Sequence, residues 1–215
     1  MDFQTATLDA PQLHRGVAEL VARHPQFGQV LNAHGTPSLR PMACGLEGLL
    51  LTVTEQFLSL AAAAAIWRRM AEACDMTDPQ AVLAIDEEGW MALGLSRAKA
   101  RSFRGIAEAV REKRFDPVAL AFLPNDSARD HLMALPGVGP WTADIYLLAG
   151  LQRADVWPWG DLALQLAAQN LFGLTTRPGK REMAELGETF RPWRAVAARL
   201  LWSHYRAFKG LKQAP

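Results

Sequence analysis

Hydrophobic residues recur along most of this chain at the spacing of amphipathic helices. Sustained alternation of apolar and polar residues, Asn-Gly hairpins and β-branched runs, the usual signals of strands, are missing from the sequence. The pattern predicts helices over residues 11–23, 46–56, 58–74, 78–85, 87–93, 96–113, 116–122, 126–134, 140–150, 161–172, 179–188 and 192–208. We therefore predict an all-α fold of short helices.

Residues with known positional preferences mark several helix starts. Proline has a fixed φ that suits the first turn of a helix, and the predicted first turns contain Pro11, Pro79, Pro117 and Pro140. Short polar side chains can cap a helix N-terminus, and those placed to do so are Asp78, Asp116 and Asn125.

One break in the helical pattern, "LPGVGPW" (135–141), is rich in glycine and proline. A dinucleotide-binding Gly-x-Gly would follow a strand and need a third glycine, whereas here a helix is predicted before it and Thr142 takes the third position. Two interpretations remain. The stretch is an ordinary tight turn between helices, or it is a hairpin whose glycines let backbone N–H groups approach a phosphate.

Composition narrows the class of protein. The chain has 215 residues, 50% of them hydrophobic, which is enough for one large or two small folded units. The N-terminal residues lack the pattern of a signal peptide, and the longest apolar run, 58–67, is about half of a membrane span. A cytoplasmic protein without a membrane partner is expected. Cys44 and Cys74 fit no metal or disulfide pattern, and we expect both to be small buried hydrophobes.

Charge is distributed unevenly. The net charge is only +1, so any basic surface must be local. One basic cluster lies in residues 96–115, and another occupies the C-terminal region and includes Lys212. Each cluster is either a solvated helix face or a face that contacts DNA phosphates.

Five segments, taken together, point to one known family. They are "TVTEQFLSLAAAAAIWRRM" (52–70), "LGLSRAKARSFRGIAEAV" (93–110), "LPGVGPWTA" (135–143), "VWPWGDLALQ" (156–165) and "RPWRAVAARLLW" (191–202). They resemble segments of the helix-hairpin-helix (HhH-GPD) DNA glycosylase superfamily, the third its hairpin and the fourth the segment with its catalytic aspartate. Asp161 follows Trp141 by twenty residues, which is the family's spacing. The resemblance covers most of residues 24–206.

Within this superfamily the chain is most similar to the alkylated-base branch, the 3-methyladenine DNA glycosylase II type. The resemblance implies two helical lobes, 45–153 and 1–44 with 154–215, without the N-terminal β domain of some relatives. Glycosylases that also cut the backbone have a lysine at the position of Trp141, so a monofunctional hydrolase without lyase activity is implied. Two cysteines cannot bind the iron–sulfur cluster of other relatives.

The resemblance also assigns the residues at the reacting base. Asp161 would be the catalytic carboxylate, and the pocket positions are Trp141, Trp202, Ile145 and Gln56. Aromatic faces attract the positive charge of an alkylated purine, and such a base needs little acid assistance to leave. One carboxylate, which stabilises the oxocarbenium ion and directs water, then suffices. Without the resemblance, Asp161 would be interpreted as a helix N-cap.

Further residues are implied to contact DNA. Phe57 would fill the gap left by the flipped base, although a phenylalanine in an apolar helix is ordinarily a core residue. The hairpin would bind phosphate through Gly137, Val138, Gly139, Pro140, Trp141 and Thr142. Family hairpins also bind a monovalent cation, Na⁺ or K⁺, through backbone carbonyls that correspond to Met133, Leu135 and Val138. No other cofactor is expected.

Two positions bear on substrate choice. Ile145 stands where the family can have a tyrosine, and Glu55 where it often has glutamine or glycine. These departures leave the range of lesions open. Asp144 is a second carboxylate near the hairpin, expected to be a surface or helix-end charge.

The function implied by the resemblance is that of a monomeric base excision repair glycosylase. It would flip alkylated bases such as 3-methyladenine or 7-methylguanine out of double-stranded DNA and hydrolyse the N-glycosidic bond. The alternatives are a non-enzymatic module that binds damaged DNA, and a glycosylase for another lesion such as hypoxanthine or etheno adducts. Asp161 together with Trp141 and Trp202 favours an enzyme, because a binding module would need none of them.

Overall fold

The computed structural model describes residues 5–211, and these form twelve α-helices joined by turns and loops. The helices are α1 (Ala10–Arg23), α2 (Gln26–His34), α3 (Gly45–Glu55), α4 (Leu60–Ala73), α5 (Pro79–Ala84), α6 (Glu87–Ala92), α7 (Arg97–Arg111), α8 (Asn125–Met133), α9 (Pro140–Ile145), α10 (Leu162–Leu171), α11 (Lys180–Thr189) and α12 (Arg194–Phe208). A 3-10 turn covers Ala119–Phe122, and a π-helical turn, Tyr146–Gly150, continues α9. Strand pairing within 5–211 is limited to one isolated bridge, Thr7 with Arg153. The all-α prediction is confirmed.

The helix starts agree with the predicted caps at one of three positions, Asp78. Asp78 accepts a hydrogen bond from the Gln80 N–H at 2.8 Å, and Asp116 accepts one from the Val118 N–H at 2.8 Å. The prediction for Asn125 was wrong, because Pro124 holds the cap position and Asn125 is the buried first residue of α8. The prediction for Asp116 was also wrong: a 3-10 segment, Ala119–Phe122, replaces the predicted helix, its N-cap position is Val118, and neither Asp116 nor Pro117 lies in it.

The chain divides into two compact units. The continuous unit is Met42–Leu151, and the discontinuous unit joins the chain up to Pro41 with the chain from Gln152 onward. In the continuous unit, α3 and α7 each bury one apolar face, and the fully buried side chains include Leu49, Leu50, Val53, Phe103 and Ile106. Trp90 of α6 packs edge-on against Phe103, with ring centroids 5.3 Å apart.

In the discontinuous unit, α12 packs on α10 and α2. An aromatic cluster fills its core: Phe190 contacts the rings of Phe27, Trp157 and Phe172 at centroid distances of 5.4, 5.4 and 6.1 Å. The cluster joins the N-terminal helices to the C-terminal ones, and this explains why residues so distant in sequence form one unit.

The two basic clusters are largely engaged within the protein. In the first, Arg97 pairs with Glu87, Arg104 with Glu108, and both Arg111 and Arg114 with Glu112. In the second, Arg191 and Arg194 both bind Asp155. The pairs of the first cluster are solvent-exposed and therefore weak, so they leave both interpretations open. Lys212 lies outside the described residues.

The prediction for Cys44 was wrong. Its side chain is exposed at the start of α3, where its thiol donates to the Gly150 carbonyl at 3.0 Å. Cys74 is partly buried, and burial raises the pKa of its thiol. Within residues 5–211, no helix combines the length and apolarity needed to span a membrane.

Candidate functional site

The glycine- and proline-rich stretch forms a tight connection between α8 and α9. Gly137 has φ +76°, a left-handed conformation that favours glycine. A Cβ atom there would collide with the Ser102 side chain of α7. The fold therefore requires a glycine at 137, whatever the stretch binds.

Gly139 has a different explanation. Its backbone is extended, with φ −96° and ψ 178°, which any residue can adopt. A Cβ built there would meet no protein atom within 4 Å. An ordinary turn therefore needs Gly137 but not Gly139. The open space beside Gly139 is compatible with the second interpretation, in which the backbone approaches a ligand closely.

The N-terminus of α9 follows directly and has no side-chain cap. The first N–H groups of a helix lack intrahelical partners, and a helix start of this kind can donate to an anion. Among the predicted phosphate-binding residues, Val138 donates its own N–H to the Leu135 carbonyl at 3.2 Å, and Pro140 has no N–H. Thr142 is buried, and its hydroxyl is bound by Gln56, so its predicted phosphate contact stays a prediction.

Gln56, predicted as a pocket residue, is bound to this hairpin. It follows the last residue of α3, and its Nε2 donates to the Gly137 carbonyl at 2.9 Å and to the Thr142 hydroxyl at 2.7 Å. The side chain thus connects the end of α3 to both sides of the hairpin. Its role as a pocket residue stays a prediction.

Phe57 is not a core residue. It has φ +58°, and its side chain is fully exposed in the turn between α3 and α4. Leu58 and Leu60 beside it are also largely exposed. An exposed ring presented from a constrained turn is the geometry that a DNA wedge needs.

Lys99 of α7 binds the same turn, a contact that the sequence pattern did not predict. Its Nζ donates to the carbonyls of Thr54 at 2.8 Å and Gln56 at 2.7 Å. Burial lowers the pKa of the Lys99 ammonium. The only sequence signal was its place in the "LGLSRAKA" segment, which does not show what the ammonium contacts.

The start of α9 brings together three of the discussed residues. Trp141 is partly buried, and Ile145, one turn later, is buried. The expectation for Asp144 was wrong: it is 1% exposed, and its Oδ1 accepts a hydrogen bond from Arg129 Nε at 2.7 Å. A buried carboxylate with an arginine partner ties α9 to α8 instead of lying on the surface.

Asp161 and Trp202 lie together in the discontinuous unit. Asp161 is the N-cap of α10, and its Oδ1 accepts hydrogen bonds from the Leu164 N–H at 2.9 Å and from the Trp202 indole N–H at 3.2 Å. The N-cap interpretation is thus confirmed. An N-cap role is compatible with a catalytic role, because the hydrogen bonds from the Leu164 N–H and the Trp202 indole together fix the orientation of the half-buried carboxylate.

The chain also matches known proteins. The sequence profile of the HhH-GPD superfamily base excision DNA repair proteins matches residues 50–192. This chain belongs to the HhH-GPD superfamily. The match includes Gln56, the hairpin and Asp161, and it ends before Trp202.

Individual HhH-GPD proteins are similar over longer stretches. The alkylbase DNA glycosidase-like protein mag2 of Schizosaccharomyces pombe is 29% identical over 161 residues, 73% of this chain and 76% of the relative. DNA-3-methyladenine glycosylase 1 of the same organism is 31% identical over 160 residues, 73% of this chain and 70% of the relative. These relatives and the profile confirm the family predicted from the sequence.

A solved HhH-GPD structure confirms the fold. The 3-methyladenine DNA glycosylase Mag1 of Schizosaccharomyces pombe, in complex with abasic DNA, superposes with a TM-score of 0.81 at 26% identity. The superposition covers 94% of this chain and 99% of the other. The fold described above is therefore that of an HhH-GPD protein along nearly its whole length.

Proposed function

We propose that this chain is a monofunctional DNA glycosylase that removes alkylated bases, of the 3-methyladenine and 7-methylguanine type, from double-stranded DNA. The observation that carries the proposal is the Asp161 carboxylate, held by the Leu164 N–H and the Trp202 indole at the start of α10. The names of the relatives, which are alkylbase and 3-methyladenine glycosylases, support this substrate class.

The chemistry suits a single fixed carboxylate. An N-alkylated purine is cationic and leaves without strong acid assistance, so positive charge develops mainly on the deoxyribose. Asp161 would stabilise this oxocarbenium ion and orient the attacking water. The Trp202 ring, whose indole N–H is bound to Asp161, would attract the cationic base through its electron-rich face. A binding module would need no such carboxylate.

The remaining parts would handle the DNA. The open backbone at Gly139 and the uncapped start of α9 would bind a phosphate without regard to sequence. Phe57 would fill the gap that the flipped base leaves. Trp141 has no amine that could attack the sugar, so the proposal includes hydrolysis without strand cleavage.

A monovalent cation would fit the same hairpin. Met133 is the last residue of α8, where helix carbonyls have no intrahelical partner, and Leu135 and Val138 follow in the turn. Carbonyl oxygens are hard ligands of the kind that Na⁺ and K⁺ prefer. The three carbonyls would hold the cation, which would add positive charge beside the phosphate.

The test is single-turnover release of 3-methyladenine and 7-methylguanine from methylated duplex DNA by the wild type and by Asp161→Asn. Asparagine caps a helix as well as aspartate does, so the variant keeps the fold while losing the charge. We expect release by the wild type and a loss of at least about two orders of magnitude in the variant, the size of one lost electrostatic contact to the transition state.

Other outcomes contradict the proposal in distinct ways. Tight binding to damaged DNA with no release by either protein would leave a damage-binding module. Release of hypoxanthine or etheno adducts alone would keep the reaction and change the substrate class. Equal release by both proteins would keep the glycosylase and remove Asp161 from its mechanism. Strand cleavage at the abasic product, or a protein–DNA Schiff base trapped by borohydride reduction, would contradict the absence of lyase activity.

A further inference from the structure

The turn that carries Phe57 is under strain that something must offset. A positive φ in a residue other than glycine costs about 1 kcal/mol or more and persists only where neighbouring groups hold it. Phe57 has φ +58°, and its exposed ring gains nothing from the core. The forces that hold this conformation therefore act on the backbone beside Phe57, not on its side chain.

Lys99 supplies one of these forces. Its ammonium donates to the Thr54 and Gln56 carbonyls at 2.8 and 2.7 Å, so both residues flanking Glu55 are held from α7. Carbonyls at the end of a helix lack intrahelical partners, and a cation there also complements the helix dipole. The Gln56 carbonyl belongs to the peptide bond between Gln56 and Phe57, so Lys99 holds the backbone directly before Phe57.

Gln56 supplies the second force. While its carbonyl accepts from Lys99, its side-chain amide donates to the Gly137 carbonyl and to the Thr142 hydroxyl. Gln56 therefore joins three elements. It belongs to the turn that carries Phe57 (the wedge turn), its side-chain amide binds the hairpin, and its carbonyl binds Lys99 of α7.

The same side of α7 also supports the hairpin directly. Ser102 lies one turn beyond Lys99, on the same face of the helix, and its side chain fills the space where a Cβ at Gly137 would lie. Gly105, one turn further, lies against Pro136, where a Cβ would collide with the proline ring. A single helix face thus sets the distance between the wedge turn and the hairpin.

We propose that Lys99 and Gln56 are positioning residues that hold Phe57 at a fixed distance from the phosphate-binding hairpin. The inference rests on the proposed function, because it requires Phe57 to enter the base stack. Phosphate binding uses the hairpin alone, whereas unstacking needs the ring to arrive in register with the gripped phosphate. Loss of Lys99 should therefore impair unstacking much more than binding.

The experiment measures unstacking without catalysis. A duplex carries 2-aminopurine beside a tetrahydrofuran abasic analogue, and insertion of a wedge raises its fluorescence; anisotropy of the same duplex gives the affinity. We expect Phe57→Ala and Lys99→Met each to lower the fluorescence rise at saturation at least about fivefold, with the affinity changed less than about threefold. The double variant should be no worse than Phe57→Ala, because residues that act through one another are not additive.

Matched variants separate positioning from general stability. Lys99→Arg keeps a cation with several donors and should restore much of the signal. Thr52→Val removes the hydroxyl bond to the Gly48 carbonyl at 2.8 Å, within α3 and away from the carbonyls that Lys99 binds, and should keep the wild-type signal. Gln56→Leu provides the same test as Lys99→Met if the latter fails to fold, and thermal unfolding of every variant identifies such a failure.

The outcomes distinguish this inference from the proposed function. A wild-type signal in both Lys99→Met and Gln56→Leu would overturn the positioning role, as would a full additional loss in the double variant. Absence of any rise with the wild type would remove the wedge and this inference together. Asp161→Asn should keep the full fluorescence rise, so failure of base release leaves this test intact.

Discussion

Two glycines two residues apart play different roles in the hairpin. Gly137 is constrained by its own fold, through a positive φ and the Ser102 side chain, whereas Gly139 has an ordinary backbone and open space at its Cα. The difference separates a structural glycine from one that leaves room for a ligand. The sequence motif presents both alike, because a motif does not show dihedral angles.

Alanine substitution should separate the two roles. Gly137→Ala should lower the free energy of unfolding by about 2 kcal/mol or more, because of left-handed strain and the collision with Ser102. Gly139→Ala should leave stability unchanged or raise it by about 0.4–1 kcal/mol, because alanine restricts the unfolded chain. Its affinity for undamaged duplex should fall about tenfold, since a methyl group would hold the phosphate away from the N–H donors.

Chemical denaturation and anisotropy measure the two effects on the same preparations. Gly160→Ala is the control, since a Cβ at Gly160 would meet no atom within 4 Å. Gly173 is unsuitable as a control because its φ of 64° would strain an alanine. Gly160→Ala should behave like the wild type in stability. Unchanged DNA affinity in Gly139→Ala would mean that the hairpin does not bind phosphate through this backbone.

Some residues could not be interpreted from the sequence because their partners are distant in it. The buried carboxylate of Asp144 is paired with Arg129, fifteen positions earlier in the sequence. Lys99 binds the carbonyl of Thr54, more than forty positions earlier. Apolar periodicity predicts which face of a helix is buried but not which polar group is paired there. Asp161 was interpretable because the family spacing and the N-cap preference coincide at one position.

At the scale of elements, helix positions were predictable and one helix was missed. The missed helix, α2, has nine residues with Gly28 inside and Gly35 at its end, and only Phe27 and Val30 are buried. Glycine lowers helix propensity, and two buried residues make too short a pattern to detect. Long helices such as α7, with a continuous buried face, were predicted within two residues of their ends.

The contact between α3 and the π-helical turn makes stability depend on pH. The Tyr146 hydroxyl accepts from the Gly45 N–H at 2.9 Å, and burial raises the pKa of Tyr146 to about 12. An unfolded tyrosine titrates near pH 10. The folded state therefore retains the proton longer, so this contribution to stability is complete below about pH 10 and is lost between about pH 10 and pH 12.

Tyr146→Phe isolates this contribution. The variant should be about 1 kcal/mol less stable than the wild type at pH 8, because the Gly45 N–H loses its acceptor. Above pH 10 the gap should narrow by up to about 1.4 kcal/mol per pH unit, because only the wild type must keep a buried phenol protonated. Urea denaturation of both proteins at pH 8, 10 and 11 measures the gap; a constant gap would contradict the shifted pKa.

At the scale of the whole molecule, charge gives a weak signal of DNA binding. The net charge is +1, and many arginines of both basic clusters are paired with carboxylates of the chain. The proposed phosphate contacts at the hairpin are made by neutral N–H groups. Function was therefore predictable from the family's motifs. The charge pattern alone suggested two basic faces, and the structure shows many of their arginines paired with carboxylates of the chain.

This arrangement predicts a shallow dependence of DNA affinity on salt. An unpaired cation that binds a phosphate releases about one counterion, which gives a log–log slope near −0.9 for each contact. An arginine that leaves a glutamate to bind a phosphate also releases one counterion from the DNA. The glutamate left behind attracts a cation from solution, so the net release of counterions is small. We expect a slope shallower than about −3 for an abasic duplex between about 50 and 300 mM salt. Glu112→Gln removes the carboxylate that pairs with Arg111 and Arg114, so it should steepen the salt dependence if that face lies near DNA. A wild-type slope of about −6 or steeper would contradict the prediction, because it would show that unpaired cations dominate DNA binding.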